Sequence, residues 1–175
     1  MSMSKPLASR FEFCPSCGAA VNDVGSNPLR CDCGFVFFFG PVTAVGAIVA
    51  DGDGNVLFVR RANDPGKGKL GMPGGFVDPK ESLEVAVARE VREETGLTVV
   101  ACEYLTSGPN LYLYRGSEID VTDMFFVCRV ESFEPMEAVD GEASEFLLTK
   151  PGDKELDEMA FDSNRKALLK YLALS

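Results

Sequence analysis

Residues 75–97 read GFVDPKESLEVAVAREVREETGL, and this stretch predicts the central helix of the fold. Ser82 is a residue type that caps helix N-termini, and Asp78 is an alternative start with capping-box spacing. The helix is expected to end near Thr95, because Gly96 readily adopts the left-handed conformation that follows a helix end. The stretch therefore predicts one well-bounded helix between two loops.

The acidic residues of this helix overlap its apolar side. The apolar stripe consists of Leu83, Val87 and Val91. At about 100° per residue, Glu90, Glu93 and Glu94 fall within roughly 100° of each other beside this stripe. Like charges at these spacings repel, and the helix dipole disfavours anions near the C-terminal end. Two explanations of this crowding are open. The acids form a solvated patch paired by Arg89 and Arg92, or they form a divalent-cation site built from hard oxygen ligands.

The same stretch resembles the Nudix box, G-x5-E-x7-R-E-U-x-E-E-x-G-U, in which U is an aliphatic residue. Every fixed position matches across residues 75–97, and the likeness to Nudix hydrolases extends from about Gly40 to the C-terminus. The resemblance implies an α+β fold, the Nudix α/β/α sandwich with a mixed sheet. It also implies Mg²⁺- or Mn²⁺-dependent hydrolysis of a nucleoside diphosphate linked to another group.

The resemblance also assigns roles by position. The metal ligands it implies are the carbonyl of Gly75 and the carboxylates of Glu90, Glu93 and Glu94. Arg89 would pair with Glu81 and orient the cluster, and either Glu93 or Glu90 would be the general base. Because a later loop often adds a ligand in this family, Glu142 is predicted as a further metal ligand, with Glu145 as the second choice.

Four of the six cysteines lie early in the chain, in two short pairs. Cys14 and Cys17 enclose two residues, and Cys31 and Cys33 enclose one. Thiolates on such turns hold structural Zn²⁺ tetrahedrally, and the alternatives are two disulfides or unrelated thiols. The pattern predicts a zinc ribbon within an N-terminal tail and ribbon at 1–40, followed by a Nudix domain at 41–175.

The composition excludes several classes of function. The chain has 175 residues, with 17 Lys and Arg against 27 Asp and Glu, so its formal charge is −10. An acidic chain is repelled by nucleic acids and anionic membranes, and neither is expected as a partner. The absence of His excludes His-based catalysis and His metal ligands. The N-terminus shows no secretory signal and no apolar stretch is long enough to span a bilayer, so a cytoplasmic location is predicted.

The segment after the box offers clues to the substrate. A zinc ribbon before a Nudix domain resembles the NADH pyrophosphatase group, which carries S-Q-P-W-P-F-P after the box. Residues 107–113 read SGPNLYL, which matches that motif at the serine and the first proline only. Arginine side chains bind phosphate oxygens and tyrosine rings stack on bases, and ordinary packing is the alternative interpretation for both. The candidate substrate-binding residues are Arg60, Arg61, Ser107, Asn110 and Tyr112.

The leading hypothesis is a metal-dependent hydrolase that cleaves the diphosphate linkage of a dinucleotide or nucleotide sugar such as NAD(H) or ADP-ribose. The alternatives are a nucleoside triphosphate pyrophosphohydrolase and a non-catalytic nucleotide-sensing regulator. A homodimer is possible through the ribbon or through exposed aromatic strands.

The remaining elements follow from hydrophobic patterning. An Asp-Gly turn at 51–55 predicts a hairpin between Val42–Ala50 and Val56–Arg60. Further strands are expected at Val99–Leu105, Leu111–Tyr114, Val121–Val130 and Glu145–Leu148, and a closing helix at Ser163–Leu174.

Overall fold

The computed structural model describes residues 6–114, 117–138 and 141–174, and it is an α+β protein. Its strands are β1 (Leu29–Arg30), β2 (Val36–Phe37), β3 (Val42–Val49), β4 (Val56–Arg61), β5 (Leu70–Gly71), β6 (Val99–Tyr114), β7 (Ser117–Val130) and β8 (Ala143–Thr149). Its α-helices are α1 (Leu83–Thr95), α2 (Asp153–Asp157) and α3 (Asp162–Leu172), and a 3-10 turn spans Leu7–Arg10.

Two three-stranded sheets form the main body of the fold. One sheet has the order β3-β7-β6 and the other the order β5-β4-β8. In the second sheet β8 runs antiparallel to β4, with Phe58 opposite Leu147 and Val59 opposite Phe146. The register shifts between Arg60, which lies opposite Glu145, and Arg61, which lies opposite Ala143. The end of β4 therefore departs from the regular pairing.

The predicted hairpin between β3 and β4 is wrong in part. The turn forms as expected, with the Asp51 backbone N–H donating to the Asn55 carbonyl at 3.0 Å. The two strands, however, share only the bridge between Ala50 and Val56 and then enter different sheets. Both strands bury both faces, so each needs its own set of neighbours.

The core has two layers, one on each side of the β3-β7-β6 sheet. Phe126 packs in the cluster that contains Val87 and Val91 of α1, whereas its neighbour Phe125 packs in the cluster that contains Leu168 of α3. Because successive strand residues point to opposite faces, α1 and α3 cover opposite faces of this sheet. This arrangement is the predicted sandwich.

Most predicted elements are confirmed, with two differences. Residues 99–114 form a single strand, where two segments were predicted, because the Ser-Gly-Pro-Asn sequence at 107–110 stays extended within the sheet. The short helix α2 was not predicted, because five residues carry too little periodicity to reveal it. No helix among the described residues is long and apolar enough to cross a membrane.

The described residues separate into two compact units. One lies within Met1–Val42 and Leu111–Val121, and the other within Thr43–Asn110 and Thr122–Ser175. The first contains the small β1-β2 sheet and a row of phenylalanine rings, with Phe37 and Phe39 centred 5.0 Å apart. The second contains α1 and its surroundings. The predicted division at residue 40 stays a prediction.

Candidate active site and thiol cluster

Helix α1 begins and ends at the residues that its sequence predicts. The Ser82 hydroxyl accepts a hydrogen bond from the Val85 backbone N–H at 3.4 Å, which caps the N-terminus. Gly96 adopts the left-handed conformation, with φ of 76°, and its N–H donates to the Arg92 carbonyl. These two ends fix which residues of the helix face the core and which face the loop at Gly75.

Arg89 lies at the centre of the acidic cluster and contacts three carboxylates. Its Nε and Nη2 donate to the two oxygens of Glu81, each at 2.9 Å, which is a bidentate pair. Its Nη1 donates to Glu90 at 2.8 Å and to Glu93 at 2.9 Å. Nη2 also donates to the Phe76 carbonyl at 3.1 Å. A single guanidinium therefore joins α1 to the loop that precedes it.

Glu90 packs tightly against the glycine that opens the motif. A Cβ built on Gly75 would lie 2.7 Å from both Glu90 carboxylate oxygens, so any larger residue would displace this carboxylate. The Gly75 carbonyl accepts from the Val45 backbone N–H at 2.8 Å, which ties the loop to β3. Burial raises the pKa of Glu90 while Arg89 lowers it, and the charges of Glu93 and Glu142 raise it further.

The other two carboxylates of the helix differ in exposure. Glu94 is buried, with 5% of its surface exposed, whereas the Glu93 side chain is 52% exposed. The helical wheel predicts that both residues lie beside the apolar stripe. In the structure, only Glu94 of the two is buried. Glu93 therefore faces solvent while it remains bonded to Arg89.

The predicted loop residue Glu142 lies near this cluster, because its charge acts on the pKa of Glu90. Its backbone carbonyl accepts from the Ala62 N–H at 2.8 Å, which places the loop beside the end of β4. The second choice, Glu145, is bound differently. Its carboxylate accepts from Arg60 Nε at 2.8 Å.

The donor set of this cluster suits a hard divalent cation. Carboxylate oxygens and a backbone carbonyl are the ligands that Mg²⁺ and Mn²⁺ prefer. Glu90 lies against Gly75, and these two residues offer one ligand of each type. Among the described residues, the four N-terminal thiols form a close group of possible metal ligands, and the acidic side chains do not.

The four N-terminal thiols converge in the structure. The Sγ atoms of the four cysteines all lie within 4.8 Å of one another. The Sγ atoms of Cys14 and Cys33 are 3.8 Å apart, and those of Cys17 and Cys31 are 3.7 Å apart. A tetrahedral site with Zn–S bonds of about 2.3 Å requires sulfur atoms about 3.8 Å apart, so this cluster fits zinc.

The two predicted phosphate-binding arginines already have protein partners. Arg60 bonds Glu145, as above, and also Glu158 at 3.2 Å and the Gly68 carbonyl at 2.9 Å. Arg61 donates from Nε to the Pro65 carbonyl at 2.8 Å, and its guanidinium lies 5.2 Å from the centre of the Phe161 ring. Arg60 is thus paired with two acidic groups.

The residues predicted from the SGPNLYL segment fall into both units. Ser107 and Asn110 lie in the unit that contains α1, and Tyr112 lies in the other unit. The Ser107 hydroxyl is 3.2 Å from the hydroxyl of Tyr104. Asn110 lies near the buried Asp123 and counters the rise in the pKa of that carboxyl. Sequence reasoning missed Asp123 because it lies inside an otherwise apolar strand.

Comparison with known proteins supports the family that the motif suggests. The NUDIX domain model matches residues 40–168. An ADP-ribose pyrophosphatase from Methanocaldococcus jannaschii is 47% identical over 57 residues, covering 33% of this chain and 33% of its own. An NAD-capped RNA hydrolase NudC from Stutzerimonas stutzeri is 34% identical over 101 residues, covering 57% of this chain and 36% of its own. The matches thus span about a third of the length of these curated relatives.

A solved structure extends the likeness to the whole fold. The crystal structure of a NUDIX hydrolase from Nitrosomonas europaea matches with a TM-score of 0.67 and 25% identity, covering 93% of this chain and 90% of that one. The domain match covers most of the chain and includes the complete motif at 75–97. The chain therefore belongs to the NUDIX domain family.

Proposed function

We propose that this chain hydrolyses the diphosphate linkage of a small nucleoside diphosphate derivative such as ADP-ribose or NAD(H). The observation that carries the proposal is Arg89, which holds Glu81, Glu90 and Glu93 in one hydrogen-bonded group beside Gly75. A purely structural helix gains little from carboxylates at Glu90 and Glu93 in its C-terminal half, where the helix dipole disfavours anions.

The relatives support the choice of substrate. One carries the name ADP-ribose pyrophosphatase and the other the name NAD-capped RNA hydrolase. The substrates in both names contain a nucleoside attached through a diphosphate. A triphosphate pyrophosphohydrolase would use the same acidic residues, and it remains the alternative that a substrate panel tests.

We assign Mg²⁺ or Mn²⁺ to the acidic cluster. The proposed ligands are the Gly75 carbonyl and the carboxylates of Glu90, Glu93, Glu94 and Glu142. When bound, such an ion lowers the pKa of a ligated water and offsets the charge of the phosphoryl group. Arg89 keeps Glu90 and Glu93 oriented toward the cluster, and Glu81 holds Arg89 from the opposite side.

We assign the role of general base to Glu93. Its carboxylate is exposed to solvent, whereas the Glu90 side chain is only 13% exposed, lies against Gly75 and suits a fixed ligand. A carboxylate that reaches solvent can accept a proton from the attacking water. Ser107 and Asn110 are proposed to contact the nucleotide, and Arg60 and Arg61 its phosphates, although Arg60 also pairs with Glu145 and Glu158. The role of Tyr112, which lies in the other compact unit, stays a prediction.

The test is hydrolysis of a substrate panel by the wild-type chain and by Glu93→Gln, in Mg²⁺ and in Mn²⁺. We expect wild type to release AMP from ADP-ribose and NADH, and the variant to lose at least about 100-fold in kcat/KM while its melting temperature is kept. Glu84→Gln is the matched control, because Glu84 is exposed in the first turn of the same helix.

Three outcomes would contradict the proposal. Full activity in Glu93→Gln would remove the assigned base, and turnover confined to triphosphates would replace the substrate class. Saturable nucleotide binding without product in either metal would favour the sensing regulator.

A further inference from the structure

The guanidinium of Arg61, one of the proposed phosphate-binding residues, is contacted by two neutral groups. Its Nε donates to the Pro65 carbonyl at 2.8 Å, and its Cζ lies 5.2 Å from the centre of the Phe161 ring. That distance is within the range of a cation–π contact. A carbonyl and an aromatic ring carry no net charge, so both contacts orient the guanidinium without cancelling its charge.

Two glycines leave room for the aliphatic part of the Arg61 side chain. A Cβ built on Gly66 would lie 3.6 Å from Arg61 Cδ, and one built on Gly71 would lie 3.8 Å from Arg61 Cγ. The Gly66 Cβ would also come within 2.8 Å of the Ala160 side chain, which directly precedes Phe161. The Arg61 side chain is therefore packed along its length, and the ring of Phe161 contacts its charged end.

The Arg61 side chain lies on the face of β4 that packs toward α1. Val59 Cγ2 and Arg61 Cγ would each lie 3.8 Å from a Cβ on Gly71, so both side chains share one face of the strand. Leu57 shares that face with Val59, and it packs in the core cluster that contains Val87 of α1. The arginine is thus on the same side of the sheet as the helix that carries the acidic cluster.

The chain on either side of this arginine leads to the acidic cluster. From Gly71 the chain runs four residues to Gly75, so these two Cα atoms are at most about 14 Å apart. Gly75 lies against the carboxylate of Glu90. The Ala62 N–H donates to the carbonyl of Glu142, the proposed loop ligand, at 2.8 Å. A nucleoside diphosphate sugar can span a distance of this size, so one substrate can reach both the arginine and the acidic cluster.

We propose that Phe161 is a positioning residue that holds the Arg61 guanidinium in the orientation that binds a phosphate of the substrate. The proposal rests on the function proposed above, because it takes the ligand to be a nucleoside diphosphate derivative. Arginine binds phosphate oxygens through two parallel N–H donors, so its affinity depends on the orientation of the guanidinium plane. A ring beside the guanidinium reduces the number of orientations that are lost when the phosphate binds.

The test measures binding of a non-hydrolysable analogue of ADP-ribose, in which a methylene group replaces the bridging oxygen of the diphosphate. Calorimetry in Mg²⁺ gives dissociation constants that do not depend on hydrolysis. We expect Phe161→Leu to raise the dissociation constant about fivefold and Arg61→Gln to raise it about 30-fold. When Phe161→Leu is added to Arg61→Gln, its effect should stay within about twofold, because the ring then has no guanidinium to position.

Two further variants separate positioning from structural support. Phe161→Tyr is the matched control, because it keeps the aromatic ring, and its dissociation constant should stay within about twofold of wild type. Phe161→Met also removes the ring and should reproduce the weaker binding, so the test holds even if Phe161→Leu fails to fold. If Phe161 served only to pack the start of α3, loss of the ring would lower the melting temperature and leave the dissociation constant unchanged.

An unchanged dissociation constant in the variants without a ring would overturn the inference. An equal effect of Phe161→Leu in the wild-type and Arg61→Gln backgrounds would also overturn it, as would failure of wild type to bind the analogue. Failure of the proposed function would look different, because the analogue would bind as expected while ADP-ribose was not hydrolysed in Mg²⁺ or Mn²⁺.

Discussion

Gly75 affects the acidic cluster because it has no side chain. Its Cα lies so close to Glu90 that a methyl group would meet both carboxylate oxygens at 2.7 Å. The motif requires glycine at this position, and the structure supplies the physical reason. A carboxylate displaced from the loop would also move away from the Gly75 carbonyl, its proposed partner in holding the metal.

We therefore predict that Gly75→Ala lowers kcat/KM for ADP-ribose by about 100-fold, because small displacements of catalytic groups carry costs of that size. Steady-state kinetics with Mg²⁺ measures the effect. Gly52→Ala is the control, since a Cβ at Gly52 meets nothing within 4 Å, and its activity should stay within about twofold of wild type. Equal activity in the two variants would show that the contact at Glu90 does not matter for catalysis.

At the residue level, only the resemblance to the Nudix box predicted that Arg89 pairs with Glu81. Glu81 lies before the helix, so helical periodicity says nothing about its distance from Arg89. The bidentate geometry depends on how the loop folds back over α1. The contact between Asp123 on β7 and Ser163 on α3 was missed for a similar reason, because the two residues are 40 positions apart in sequence.

At the scale of elements, the turn between β3 and β4 has its own stabilising group. The Asp51 carboxylate accepts from the backbone N–H groups of Asp53 and Asn55 at 2.9 and 2.8 Å, and from the Asn55 side chain at 2.7 Å. The Asn55 side chain is the main cause of the lowered pKa of Asp51, and the backbone donors add to it. A lowered pKa in the folded state means that the ionised carboxylate stabilises the turn.

This stabilisation should be present above the ordinary aspartate pKa, near 3.8, and be lost as pH falls through the lowered value. Asp51→Asn keeps an acceptor oxygen but has no charge at any pH. We predict that its melting temperature is a few degrees below that of wild type at pH 7, and that the gap narrows as pH drops below 4. Asp53→Asn, in the same turn, is the control. A gap that is constant with pH would refute the role of the Asp51 charge.

The long strand β6 shows where local signals mislead. Gly108, Pro109 and Asn110 are turn-forming residue types, which is why two separate strands were predicted. In the structure this segment stays in the sheet beside β7. Sheet pairing supplies more free energy than the local preference of three residues, so tertiary context overrides it.

At the scale of the whole molecule, the thiol cluster should determine whether the N-terminal unit folds. A small ribbon buries too little apolar surface to be stable alone, so bound metal would provide much of its folding free energy. We predict about one zinc per purified chain, and loss of that zinc in Cys17→Ser. Hydrogen exchange should then speed up across 14–37 while protection in α1 is kept. The measurements are elemental analysis and hydrogen exchange by mass spectrometry.

Cys102→Ser is the matched control for this prediction, because Cys102 lies outside the four-thiol cluster and should not change the zinc content. Metal-free wild-type protein with full protection of residues 14–37 would exclude a structural zinc site. A homodimer and a cytoplasmic location stay predictions.

The sequence by itself determined the helix α1, its two ends, the family and the four thiols, because each depends on residue types at short, regular spacing. Only the tertiary structure decided which of the clustered acids is buried, how Arg89 joins them, and that β3 and β4 enter different sheets. It also brought Asp123 and Ser163 together. Contacts of this kind join residues far apart in sequence, and they form only when whole sheets and helices pack.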